Sequence, residues 1–97
     1  MPIHHEITLE EGIELTTRFK NNNPHGTKRA FLISKAVLTE LMAQDRADGI
    51  RVYLGEKDNQ ELTIVAIATD SEGNDIQTIV MDSFLSCPSA CDFDSPL

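Results

Sequence analysis

The 97-residue chain contains no tryptophan and one tyrosine. Single-stranded nucleic acids are held by bases stacked on aromatic side chains, and the chain has little to build such a platform. Basic residues are scarce as well: eight Lys and Arg stand against sixteen Asp and Glu, for a net charge of −8. Phosphate backbones need cationic surface, so nucleic acid is not an expected partner. Long apolar runs are missing. The longest, Ile64 to Ala68, falls far short of the roughly 20 residues of a membrane span. The N-terminus Met-Pro-Ile-His-His-Glu lacks the basic start and apolar stretch of a secretory signal. A soluble cytoplasmic protein with no membrane partner is the expectation. The sequence has no G-x-S-x-G elbow, no P-loop and no G-x-G-x-x-G. Without them a catalytic role has no motif behind it, and no cofactor is expected.

The residues present have an ordinary globular balance, 40% hydrophobic and 25% charged. A chain of this length makes one domain at most, close to the size where burial only just offsets chain entropy. Thr8-Leu9-Glu10-Glu11 has the form of a capping box. Leu9, Gly12, Ile13, Thr16 and Phe19 follow at helical spacing, which predicts a first helix over about residues 9–20. Acids begin it, Arg18 and Lys20 end it, and Glu14 with Arg18 makes a favourable i,i+4 pair. Asn21-Asn22-Asn23-Pro24-His25-Gly26 is its stop. Ala30 to Ile33 is apolar but too short to classify by period. Ser34 is a suitable N-cap for a second helix, with Val37, Leu38, Leu41 and Met42 on its apolar face. That helix is expected to reach about residue 45, with Asp48-Gly49 as its exit.

From Ile50 the period becomes two. Ile50, Val52 and Leu54 point one way, Arg51 and Tyr53 the other. Leu62 to Thr69, rich in Ile, Val and Thr, reads as a central strand. Ile76 to Met81 reads as a third, with Ile76, Thr78 and Val80 alternating against Gln77, Ile79 and Met81. Short turns between them favour an antiparallel meander. The fold expected is therefore α+β in two layers: two amphipathic helices on a three- or four-stranded antiparallel meander. The single domain spans residues 1–85. Residues 86–97 form an irregular tail containing Cys, Pro and Asp, which Phe84, Leu85 and Phe93 would tack to the body.

Two candidate sites emerge. Cys87 and Cys91 have C-x3-C spacing, so zinc would need further ligands from His4, His5 or His25, with Asp92 as another. A redox pair usually has a spacer one residue shorter, at a helix N-terminus. The plainer reading is a tail with two free thiols or one reversible disulfide. The second candidate is electrostatic. Residues 1–55 are neutral overall, whereas residues 56–97 carry the whole −8. Between residues 15 and 39, Arg18, Lys20, Lys28, Arg29 and Lys35 occur with no acid among them. They offer contact to an anion or an acidic partner, or else a solvated loop that balances the acidic sheet. Asp70, Glu72 and Asp75 crowd one turn, but the calcium-loop pattern fails, and a solvated hairpin turn is the better reading.

The segments Ile7-Thr8-Leu9-Glu10, Ile13 to Lys20, Gly49-Ile50-Arg51-Val52-Tyr53, Leu62-Thr63-Ile64-Val65, Asp70 to Asp75 and Cys87-Pro88-Ser89-Ala90-Cys91 together resemble a family of small bacterial proteins, mostly of Bacteroidetes, with a C-terminal C-P-x-x-C. The resemblance spans nearly the whole chain. It implies a soluble bacterial protein with no attached activity, supplies no catalytic residues, and makes the tail cysteines less of an accident. The functional expectation is a small, acidic, non-enzymatic protein acting through protein–protein contact. The alternative is a metal-binding or thiol-redox accessory protein using Cys87 and Cys91. Unpaired sheet edges and small size also favour self-association, with a homodimer expected.

Overall fold

The computed structural model describes residues 5–22, 28–82, 84–87 and 91–97. Helix α1 spans Leu9–Asn22. Its capping box forms as the sequence predicts: Thr8 Oγ1 accepts from the Glu11 N–H at 3.1 Å, and the Thr8 N–H donates to Glu11 Oε1 at 3.0 Å. That backbone donor holds the Glu11 carboxyl below its usual pKa. Glu14 and Arg18 approach to 3.8 Å on the exposed face. The helix runs two residues beyond the expected stop, because Asn22 Nδ2 donates to the Arg18 carbonyl at 3.1 Å and satisfies an end group.

Strand β1, Ala30–Leu32, settles the segment that periodicity left open. Ser34 then caps α2, Lys35–Met42, with its Oγ accepting from the Val37 N–H at 3.3 Å. This helix stops three residues before the expected end. Gln44 Nε2 donates to the Leu41 carbonyl at 3.0 Å, and Arg46 takes a left-handed φ of 67°, a turn that the apolar pattern does not signal.

Strands β2 (Gly49–Glu56), β3 (Leu62–Thr69) and β4 (Asp75–Met81) form an antiparallel meander with β3 in the centre. β2 pairs with β3 without interruption, from Gly49↔Thr69 to Glu56↔Leu62. β4 does not continue in one register. Ile67 faces Val80, but Ala68 faces Ile76, leaving Gln77, Thr78 and Ile79 without register partners. The shift corrects the expected strict alternation. Ile76 and Met81 are five apart, so a regular strand would put them on opposite faces; an odd insertion brings both to the helix side. Ile79 joins them there, and Val80 is turned outward. The turn before β4 requires a left-handed residue, supplied by Gly73 at φ 85°.

The α+β class is as expected, and α2 is the helix that supplies the core of the meander. The core is Leu41 of α2 against Ala66 and Ala68 of β3, flanked by Val37, Ile50, Ile76 and Phe84. The two alanines let the helix backbone approach closely. Being short, α2 covers one end of this face; at the other end Val52 and Leu54 remain 45% and 76% exposed. None of the residues of α1 is buried. A second small sheet explains where α1 goes. Strand β5, Leu85–Cys87, pairs antiparallel with β1 in the register Ala30↔Cys87, Phe31↔Ser86, Leu32↔Leu85. Ser86 and Cys87, expected to be irregular, are thus in a strand, one too short to show a period. α1 borders this ribbon and the C-terminal residues: a Cβ on Gly12 would sit 3.4 Å from Leu97 Cδ2. The molecule is consequently flat, 40 × 39 × 21 Å. Its Cα radius of gyration is 15.1 Å, against about 12.5 Å for a compact domain of this length. No described helix is long and apolar enough to cross a membrane.

On the meander face away from α2, Asp75 of β4 reaches across β3. It accepts from Arg51 Nη1 and from the Tyr53 hydroxyl, both on β2, while Arg51 Nη1 also donates to the Gly73 carbonyl at 3.1 Å. The Tyr53 hydroxyl and the Arg51 guanidinium hold the Asp75 carboxyl below its usual pKa.

Leu41→Ala removes the central core side chain and is expected to cost about 2–5 kcal/mol in urea unfolding, whereas Leu54→Ala, at an exposed site, should shift stability by less than about 0.5 kcal/mol. Because the carboxyl pKa of Asp75 is depressed in the folded state, its contribution is complete above the ordinary carboxylate range and is lost as pH falls through the folded value. Asp75→Asn should therefore lower stability at neutral pH and flatten the fall below about pH 4, measured as urea midpoints across pH.

Candidate functional site

Members of the two groups of residues singled out in the sequence meet in one place. A groove of about 490 Å³ lies between the last turns of α1, strand β1 and the C-terminal residues. Lys20 and Arg29 reach it from the basic stretch, and Cys87 and Cys91 from the C-terminal pair. The elements explain the meeting. Arg29 immediately precedes β1, and its N–H donates to the Cys87 carbonyl at 2.8 Å. Pairing of β1 with β5 therefore sets the basic residue beside the cysteine, and the last turn of α1 brings Lys20 to the same opening. Leu32, Phe93 and Leu97 supply apolar surface, and are 59%, 83% and 47% exposed. Four consecutive residues, Arg29 to Leu32, line the groove. Cys87 of β5, the strand paired with β1, borders the same space, so the groove runs along the β1–β5 ribbon. A smaller hollow of about 270 Å³, beside Leu15 and Phe19, shares Thr16, Lys20 and Arg29 with it.

Cys87 and Cys91 are joined as a disulfide, with Cα atoms 4.8 Å apart. A bond between residues so close in sequence closes a very short loop, which removes only roughly 2 kcal/mol of chain entropy from the unfolded state. Its effect in the folded protein is local. It ties the C-terminal residues, which line the groove, to the end of β5. While the bond is closed, neither sulfur is a thiolate ligand for zinc. Among the described residues no three His, Cys, Asp or Glu side chains gather as a metal site. His5 is exposed; His4 and His25, the other proposed ligands, lie outside the described residues.

The remaining cations of the basic stretch are dispersed. Lys28 is turned inward: its Nζ lies 3.2 Å from Glu61 Oε2 and donates to Ser86 Oγ at 3.0 Å. This contact ties the β1–β5 ribbon to the start of β3, and the ammonium holds the Glu61 carboxyl below its usual pKa. Arg18 pairs with Glu14, and Lys35 begins α2 without lining the groove. Among the described residues the cations of the basic segment thus have separate surroundings: Lys28 at Glu61, Arg18 at Glu14, and Lys20 with Arg29 at the groove. Two of the three carboxylates of the β3–β4 turn, Asp70 and Asp75, are committed to local structure. Asp70 Oδ1 accepts from the N–H groups of Glu72 and Asn74, each at 2.9 Å, and Asp75 is held by Arg51 and Tyr53. This is the chemistry expected of a hairpin turn.

Sequence reasoning did not find Leu32, Thr16 or Leu97 as parts of the groove, and no local pattern marks them. Of the three residues expected to tack the tail down, Phe84 packs on the core while Leu85 and Phe93 stay exposed; Leu97 against α1 makes the contact instead. Comparison with family models, with curated proteins and with solved structures finds no match to this chain.

Lys28→Met removes the cation beside Glu61, so the Glu61 titration followed by NMR should move up toward the ordinary carboxylate value. The folded pKa is depressed, so the pair stabilises above that range, and its contribution disappears as pH falls through the folded value. An unmoved Glu61 titration would show that Lys28 does not hold it.

Proposed function

We propose that this chain is a non-enzymatic protein-contact domain, and that its groove receives the acidic turns of a second copy. The observation that supports this reading is the convergence of Lys20 and Arg29 with exposed Leu32 and Phe93 in one groove along the β1–β5 ribbon. Such a surface combines charge with apolar area, the components of a protein-contact site. A second copy offers the complementary charge, because residues 56–97 carry the whole −8. The β2–β3 and β3–β4 turns present Asp58 and Glu72 to solvent. Geometry supplies a motive as well: the core is small, the outline is flat, and Leu15, Phe19, Leu32 and Phe93 are left exposed. Association covers surface that the monomer cannot. Most soluble oligomers are built from identical chains.

Two copies, each at −8, repel at long range. The contact is therefore a local match that forms best where salt limits repulsion to about 8 Å, near 0.15 M ionic strength. The reading takes in a cytoplasmic setting and, as the C-P-x-x-C resemblance implies, a bacterial one. The alternative of a thiol-redox accessory role is favoured by one observation, the disulfide on the groove wall.

Sedimentation equilibrium at about 0.15 M salt should give twice the 10.8 kDa chain mass. Lys20→Glu with Arg29→Glu should weaken the association at least about tenfold, or about 1.4 kcal/mol. Lys35→Glu, outside the groove, should leave it unchanged. A monomer at every concentration would overturn the reading.

A further inference from the structure

We infer that Cys87–Cys91 is a redox site whose reduction opens the groove. Three observations converge on it. The disulfide joins the end of β5 to the C-terminal segment, and both sulfur-bearing residues line the groove. That segment then forms one wall: Asp92, Phe93, Ser95 and Leu97 all border the same space. Finally, α1 has no buried residue of its own, and Leu97 lies against its Gly12. The bond therefore sits at the base of a short arm against which α1 rests. The meander core, built from α2, β2, β3 and β4, lies elsewhere and does not include either cysteine.

The chemistry suits a reversible site. The bond spans four residues, so opening it releases little chain entropy to the unfolded state and leaves the main core intact. Lys20 and Arg29 border the same groove, and nearby cations stabilise the thiolates produced by reduction. The co-reactant is a dithiol. One of its thiolates attacks a sulfur of the disulfide, breaking the S–S bond and forming a mixed disulfide; its second thiolate then displaces that sulfur and closes a new disulfide in the reductant. Two electrons and two protons pass from the dithiol, leaving two cysteine thiols in the protein. In a reducing cytoplasm such a bond is transient rather than structural. The closed, groove-forming state is then the oxidised one, and reduction frees the arm, loosens α1 and removes one wall. The consequence for association rests on the groove reading above; the opening itself does not.

Hydrogen exchange on the full chain tests both parts. The oxidised protein, the protein reduced with excess dithiothreitol, and the Cys87→Ser, Cys91→Ser double variant are compared, with sedimentation on the same samples. Reduction is expected to speed exchange of the α1 amides from Ile13 to Phe19 at least tenfold while β3 stays protected, and the double variant should match the reduced protein under oxidising conditions. The dimer should dissociate in parallel. Equal α1 exchange in all three samples overturns the inference, even where a dimer persists. Loss of protection in β3 on reduction also overturns it, since the bond would then hold the whole fold. Faster α1 exchange in a chain that is monomeric throughout upholds the redox site and discards the self-association reading.

Discussion

β3 is the strand on which the described meander depends. It is paired on both sides, by β2 along its full length and by β4 at both ends of a register shift. It also supplies four of the five buried apolar side chains among the described residues, Ile64, Ala66, Ile67 and Ala68. The fifth, Leu41, fits against Ala66 and Ala68 because those side chains are small enough to let α2 approach. Close packing of one helix on one strand thus carries most of the core. The short length of α2 sets its limit, which is why the face beyond it remains exposed at Leu54.

Around this centre, polar contacts hold the parts that apolar burial does not reach. Asp75 joins β4 to β2 across β3 through Arg51 and Tyr53. Lys28 joins the β1–β5 ribbon to the meander through Glu61. These groups are partly exposed, so their electrostatic attraction is screened and their role is chiefly to fix geometry. The disulfide does for the C-terminal arm what Lys28 does for the ribbon. The result is a layered hierarchy: a small apolar centre, a ribbon joined to it through Lys28 and Glu61, and an arm with α1 beside it.

Local signals were legible wherever one segment contained its own cause. The Thr8–Glu11 box, the Ser34 cap and the apolar run of β3 each follow from a few adjacent residues, and each is present. The packing of α1 was not legible. Its apolar stripe is covered in the middle, with Gly12, Ile13 and Thr16 half-buried and Leu9 and Phe19 exposed, and a stripe does not state what covers it. The register shift in β4 was also hidden, because only the positions of Ala66 and Ala68 opposite it decide that both Ile76 and Met81 turn inward. Three-residue strands such as β1 and β5 carry too little period to be recognised singly; each exists because the other pairs with it.

The candidate site shows the same division. The sequence by itself determined its ingredients: a basic stretch without acids, a C-x3-C pair, and a charge surplus confined to residues 56–97. Composition and spacing are one-dimensional, so they identify such groups without relating them. Tertiary structure decided which members meet. The β1–β5 pairing carries Arg29 to Cys87, α1 adds Lys20, and Lys28 is drawn away to Glu61. Contacts between residues some sixty positions apart, such as Lys28 with Ser86, depend on strand pairing and the compactness of the chain, and those are properties of the fold rather than of any segment.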